Sequence, residues 1–225
     1  MFVGHYSAAL AAKAIEPRAP LWTYVIGCQL LDVGWSTLIM TGAEKVAVDP
    51  SLPGSSLILY HMPYTHSLPA AIAWSAAAAL AASLVLKLPS RAAIFVGLSV
   101  FSHWILDFLV HRPDLALWVG GPKVGLGLWN FPVPEEALEI GLLAVAGVFW
   151  AAQRARSGRT VWPAAVFIGL LVALQIAALV MPMGGGVVQL GAMILAIYLA
   201  VGAAAWLVER QGSVASGLRG GPAQA

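Results

Sequence analysis

The chain has 225 residues, 60% of them hydrophobic and only 10% charged, with a formal net charge of +2. A soluble domain carries roughly 25% charged residues, so the composition excludes an ordinary water-facing surface and points to an integral membrane protein. No basic block gives nucleic acid a footing, and the single cysteine, Cys28, excludes an internal disulfide.

The first stretch, "MFVGHYSAALAAKAIEP", has no positive n-region ahead of its apolar part and does not read as a cleavable signal peptide. Residues 5–15 predict a short or half-inserted helix, ended by Pro17 and Pro20. Helical runs of ~20 apolar residues cross a ~30 Å hydrocarbon core. Such runs fall at about 21–40, 66–86, 92–110, 135–152, 161–180 and 187–208. The expected fold is therefore all-α, a polytopic membrane bundle of about six spanning helices plus a short N-terminal one, in a single domain over residues 1–211. "PMGGGV" at 182–187 reads as a tight external turn, and 212–225, small and polar, as a disordered tail. The stretch "AWSAAAALAAS" predicts close helix packing.

Basic residues orient such a bundle. With alternating spans, one set of loops holds nine of them: Lys13, Arg18, Lys87, Arg91, Arg154, Arg156, Arg159, Arg210 and Arg219. The other holds Lys45, Arg112 and Lys123. The first set is expected in the cytoplasm with the C-terminus, and the loops 41–65 and 112–134 outside. His5, Asp32, His66, His103, Asp107 and Glu139 then converge on one depth in the outward half of the membrane.

"SHWILDFLVHRPD" carries the strongest chemistry. His103 and Asp107 lie four apart, which on a helix puts them on one face with Cβ atoms ~5–6 Å apart, and His111 continues the stripe. Ionisable groups inside a span are costly and demand a partner. A divalent metal is one such partner; a hydrogen-bonded pair gluing two helices is the other reading. In "YHMPYTHSLPAA", Pro63 turns the chain. His61 thus sits on a loop, as a ligand or as part of an interfacial belt with Tyr60 and Tyr64. Thr65 or Ser67 caps the next helix and aims His66. Asp32, alone in "GCQLLDVGW", is a functional group or a protonated, hydrogen-bonded one. His5 gains weight only through the set. Glu135 and Glu136 suit a helix N-terminus. Glu139, deeper, is a ligand, an orienting group or a general base.

The ordered set "GHYSAA", "LLD", "H…THS" and "SHWILD" resembles the membrane-bound metal-dependent hydrolases described as LexA-binding and inner-membrane-associated, over about residues 1–145. That family is grouped with zinc-dependent phospholipase C and the P1-type nucleases. The resemblance implies His5, Asp32, His66, His103 and Asp107 as metal ligands, with His61 in place of the first histidine of the THS motif. It implies zinc or another divalent transition metal as cofactor and the bacterial inner membrane as location. The expected function is hydrolysis of a phosphodiester or other ester, with membrane lipid as the substrate suited to that depth and Glu139 or His111 as the proton-transfer group. Rival readings are an ion-transporting protein and a non-enzymatic scaffold with a structural metal.

Overall fold

The two prolines end the first helix as expected. In the computed structural model, which describes residues 1–180 and 185–217, α1 spans Tyr6–Ile15 and a 3₁₀ turn at Val3–His5 precedes it. The chain then runs through α2 (Leu21–Cys28), α3 (Leu30–Thr41), a hairpin of β1 (Lys45–Val48) and β2 (Leu57–His61), α4 (Leu68–Leu84) and α5 (Ser90–Val110). A second hairpin of β3 (Leu115–Ala116) and β4 (Lys123–Val124) follows, then α6 (Pro132–Arg156), α7 (Trp162–Val180) and α8 (Val187–Gly217). The fold is mostly helical. The two antiparallel hairpins, β1 with β2 and β3 with β4, structure the loops 41–65 and 112–134.

Six spanning helices are not what forms. Three helices of the described residues are long and apolar enough to cross a membrane: Ser90–Val110, Trp162–Val180 and Val187–Arg210. The run at 21–40 breaks at Gln29 into helices of 8 and 12 residues. The run at 66–86 yields a helix of 17 residues, because Ser67 caps it and turns are consumed at both ends. The run at 135–152 lies within a 25-residue helix that also carries Glu135, Glu136, Glu139, Arg154 and Arg156. α8 continues through Gly217, so residues 212–217, expected in the tail, are helical. Positions 218–225 of that tail and 182–184 of the expected turn lie outside the described residues.

α4 and α5 pack closely, and Gly97 marks the contact. A Cβ there would meet the Ser75 carbonyl oxygen at 2.9 Å and the Ala79 Cβ at 3.0 Å. The small-residue stretch of α4 is what permits this approach. α3 lies against α8, and α1 is held between α2 and α6. Large apolar side chains stay exposed on the outer faces, among them Leu80, Val145, Val166, Ile176 and Leu199, as a lipid-facing surface requires.

Arg18 and Arg91 both reach Glu16, at 2.7 Å and 3.4 Å. Lys13, although buried, pairs with Glu209 at 2.5 Å and donates to the carbonyls of Pro17 and Ala19 at 2.9 Å and 2.6 Å. Lys13→Met would leave those acceptors unmet in an apolar setting. It is expected to cost about 1–3 kcal/mol, read as a lower midpoint in detergent-based unfolding. Arg112 donates to the carbonyls of Ser55 and Pro53 and to the Asn130 side chain, lacing the two loops together. Gly54 supplies a left-handed φ of 61° there, and a Cβ on it would run into the Trp129 carbonyl oxygen.

Candidate metal centre

Histidines and acids from four separate segments meet in one largely buried cluster. His5 comes from the turn before α1, Asp32 from the first turn of α3, His66 from the segment leading into α4, and His103 and Asp107 from α5. Ligand atoms of His5, His103 and Asp107 all lie within 4.8 Å of one another, as do those of Asp32, His66 and His103. The two groups share His103.

Asp107 is the hub. Its Oδ1 is 3.1 Å from His5 Nε2 and 3.3 Å from His111 Nε2. Its Oδ2 is 3.1 Å from His103 Nε2 and 3.6 Å from His66 Nε2. Asp32 Oδ1 lies 3.3 Å from His66 Nε2 and 3.5 Å from His103 Nε2. The rings of His5 and His103 stack with centroids 3.8 Å apart.

The far side of each ring decides what its Nε2 can do. His103 Nδ1 is 2.7 Å from the Cys28 carbonyl oxygen, which only accepts, so Nδ1 carries the proton. The break between α2 and α3 at Gln29 adjoins this carbonyl. His111 Nδ1 is 2.9 Å from Asp114 Oδ1, another acceptor. His66 Nδ1 is 2.7 Å from Thr65 Oγ1, which itself donates to Glu44. With Nδ1 donating, each of the three rings turns its Nε2 toward a carboxylate oxygen. At 3.1–3.6 Å each pair needs either a proton on Nε2, giving an imidazolium–carboxylate ion pair, or a metal cation between a bare Nε2 and the carboxylate. Orienting acceptors behind the distal nitrogen are the arrangement that metal-ligating histidines take. Burial would lower the affinity of His111 for a proton, but the Asp107 and Asp114 carboxylates outweigh it and raise the group above the ordinary histidine range.

His5 Nδ1 is buried without a hydrogen-bond partner among the described residues, and His5 Nε2 and His103 Nε2, although 3.1 Å from Asp107 oxygens, make no well-aligned hydrogen bond. Such atoms are rare in folded proteins, and a cation taking the lone pairs satisfies the Nε2 atoms. The donor set, imidazole nitrogens with two carboxylates, suits a divalent transition metal.

Two expected site residues stand apart. His61 closes β2, opposite Lys45, with its side chain exposed and its ring 6.4 Å from that of Tyr64. Met62 and Pro63 turn the chain between it and His66, so it joins the surface aromatics and not the cluster. Glu139 accepts the backbone N–H groups of Phe2 and Gly4 at 2.8 Å and 2.9 Å. It anchors the segment that carries His5. His111 is the cap of α5 and not part of its helical stripe, with extended backbone at φ −62° and ψ 146°, yet it still faces Asp107. Of the two expected caps, Ser67 takes the role, its Oγ accepting the Ala70 N–H at 3.3 Å.

Four further participants were given no role at the site by the sequence. Tyr198 of α8 donates its hydroxyl to Asp32 Oδ2 at 2.6 Å. Glu44 and Asp114 back the histidines, and Trp129 stacks on His111 with centroids 4.0 Å apart. Asp114 had a visible signal, three residues beyond His111 in the same motif. Tyr198 and Glu44 had none, since their partners are remote in sequence.

No family model, curated protein or solved structure matches the chain. What the described residues define is a mostly helical chain with membrane-length helices and a largely buried histidine–aspartate cluster close enough to hold a metal ion.

Proposed function

We propose that the chain is a multi-pass protein of the bacterial inner membrane that binds zinc, or a similar divalent metal, and hydrolyses a phosphodiester or other ester of a membrane lipid. The observation that carries the metal is the set of three imidazoles whose Nδ1 protons are engaged elsewhere while every Nε2 faces Asp32 or Asp107. His5, Asp32, His66, His103 and Asp107 would hold the ion. Two carboxylates balance its charge, which a buried site needs. Zinc bound there supplies Lewis acidity and a water whose pKa is near neutral.

His111 is the proton-transfer group in this reading. It sits at the edge of the cluster, against Asp107, with Asp114 holding its outer nitrogen and Trp129 covering its face. Glu139 positions His5 through the backbone of residues 2 and 4. The cluster adjoins the hairpin loops, which carry three basic residues against nine on the other side. That bias favours an outward-facing site at headgroup depth, where a lipid ester is accessible. The shorter helices α2, α3 and α4 and the charged α6 would complete the bundle around the three long ones.

The test is elemental analysis of detergent-purified protein, followed by phospholipid turnover with and without chelator. About one or more equivalents of zinc are expected in the wild type and a large loss in His103→Ala, the ligand common to both groups. A wild type without stoichiometric metal refutes the metal centre. Retained metal without chelator-sensitive turnover refutes the hydrolase and leaves a non-enzymatic metal protein.

A further inference from the structure

We propose that Glu44 and Thr65 form a positioning relay that sets the tautomer of His66 and so makes its Nε2 a metal ligand; this rests on the metal-binding reading above. Glu44 follows the left-handed Gly42 that ends α3 and precedes β1, and its side chain is buried. Its Oε1 accepts the backbone N–H groups of Tyr64 and Thr65 at 2.8 Å and 3.0 Å. Its Oε2 accepts the Thr65 hydroxyl at 2.7 Å. With both oxygens accepting, the hydroxyl directs its one proton to Glu44. The lone pairs of Oγ1 then face His66 Nδ1 at 2.7 Å, and that nitrogen must donate. The ring is left with its Nε2 lone pair toward Asp32 Oδ1 and Asp107 Oδ2. The first hairpin thus delivers a carboxylate whose effect reaches the ion through two hydrogen bonds.

Glu44→Gln reverses the relay without changing its shape. The amide oxygen keeps the two backbone donors, and the amide NH₂ faces Thr65 Oγ1. The hydroxyl proton turns to His66 Nδ1, and the ring proton moves to Nε2, the atom that should bind metal. Thr65→Val removes the messenger, and Thr65→Ser keeps it.

The experiment is zinc titration against a competing chelator, on full-length wild type, Glu44→Gln, Thr65→Val, Thr65→Ser and the Glu44→Gln/Thr65→Val double variant, with thermal unfolding of each as a folding check. Outer partners of metal-bound histidines are worth ~10–100-fold in affinity. Glu44→Gln is expected to weaken zinc by that factor in the wild-type background and to change nothing further in the Thr65→Val background, while Thr65→Ser binds as wild type does. A folded Glu44→Gln protein with wild-type affinity overturns the relay. So does an equal loss in both backgrounds, since Glu44 would then act without Thr65. A wild type that takes up no zinc removes the metal reading itself, an outcome separate from these two.

Discussion

Asp107→Asn is expected to abolish stoichiometric zinc binding, with affinity falling by more than ~100-fold, the upper cost of losing a mere orienting partner. Both oxygens of Asp107 face imidazole nitrogens: His5 and His111 on one, His66 and His103 on the other. An amide replaces one of those oxygens with an NH₂ donor and removes the negative charge that would balance a cation in a buried site. The loss is therefore larger than that of any single histidine, each of which meets the cluster through one atom. Asp32→Asn should be milder, because Asp32 Oδ2 already accepts the Tyr198 hydroxyl and only Oδ1 faces the histidines. Equilibrium dialysis of the two variants against zinc checks the order. An Asp107→Asn protein that holds zinc as tightly as wild type would remove the hub role.

Gly97→Leu should produce the largest loss of stability. The position lies where α5 meets α4, with the Ser75 carbonyl oxygen 2.9 Å and the Ala79 Cβ 3.0 Å from where a Cβ would stand. Neither neighbour is a flexible side-chain tip, so the helices must separate. Overpacking a tight contact costs about 1–3 kcal/mol and at times more. Because α5 carries His103 and Asp107, separation also displaces two members of the cluster from Asp32 and His5. Gly97→Ala should fall between the wild type and Gly97→Leu in SDS-induced unfolding. Equal stability of all three proteins would mean that the helices do not meet so closely.

The polar positions were the most legible part of the sequence. His5, Asp32, His66, His103 and Asp107 stood out because an ionisable side chain in an apolar run has few reasons to be there, and the structure brings all five together. His61 lies apart from the cluster, since proximity in sequence to His66 does not carry across the Pro63 turn. Helix count was less legible. Hydropathy counts apolar residues and is blind to the break at Gln29 that parts α2 from α3 beside the Cys28 carbonyl, the acceptor that orients His103. The hairpins were hidden because their strands, two to five residues long, are too short to show an alternating pattern. Glu44 and Tyr198 could not be found by any local rule, since each acts on a residue that only the fold brings near.

The hydrogen bond between Tyr198 and Asp32 joins positions 166 apart, and the clamp of Glu139 on Phe2 joins positions 137 apart. Contacts of such range form only after the intervening chain exists. During synthesis the early histidine and aspartate emerge long before their supports have left the ribosome. Maturation of the centre is therefore a late event, and a truncated chain ending before α8 would lack the hydroxyl that steadies Asp32.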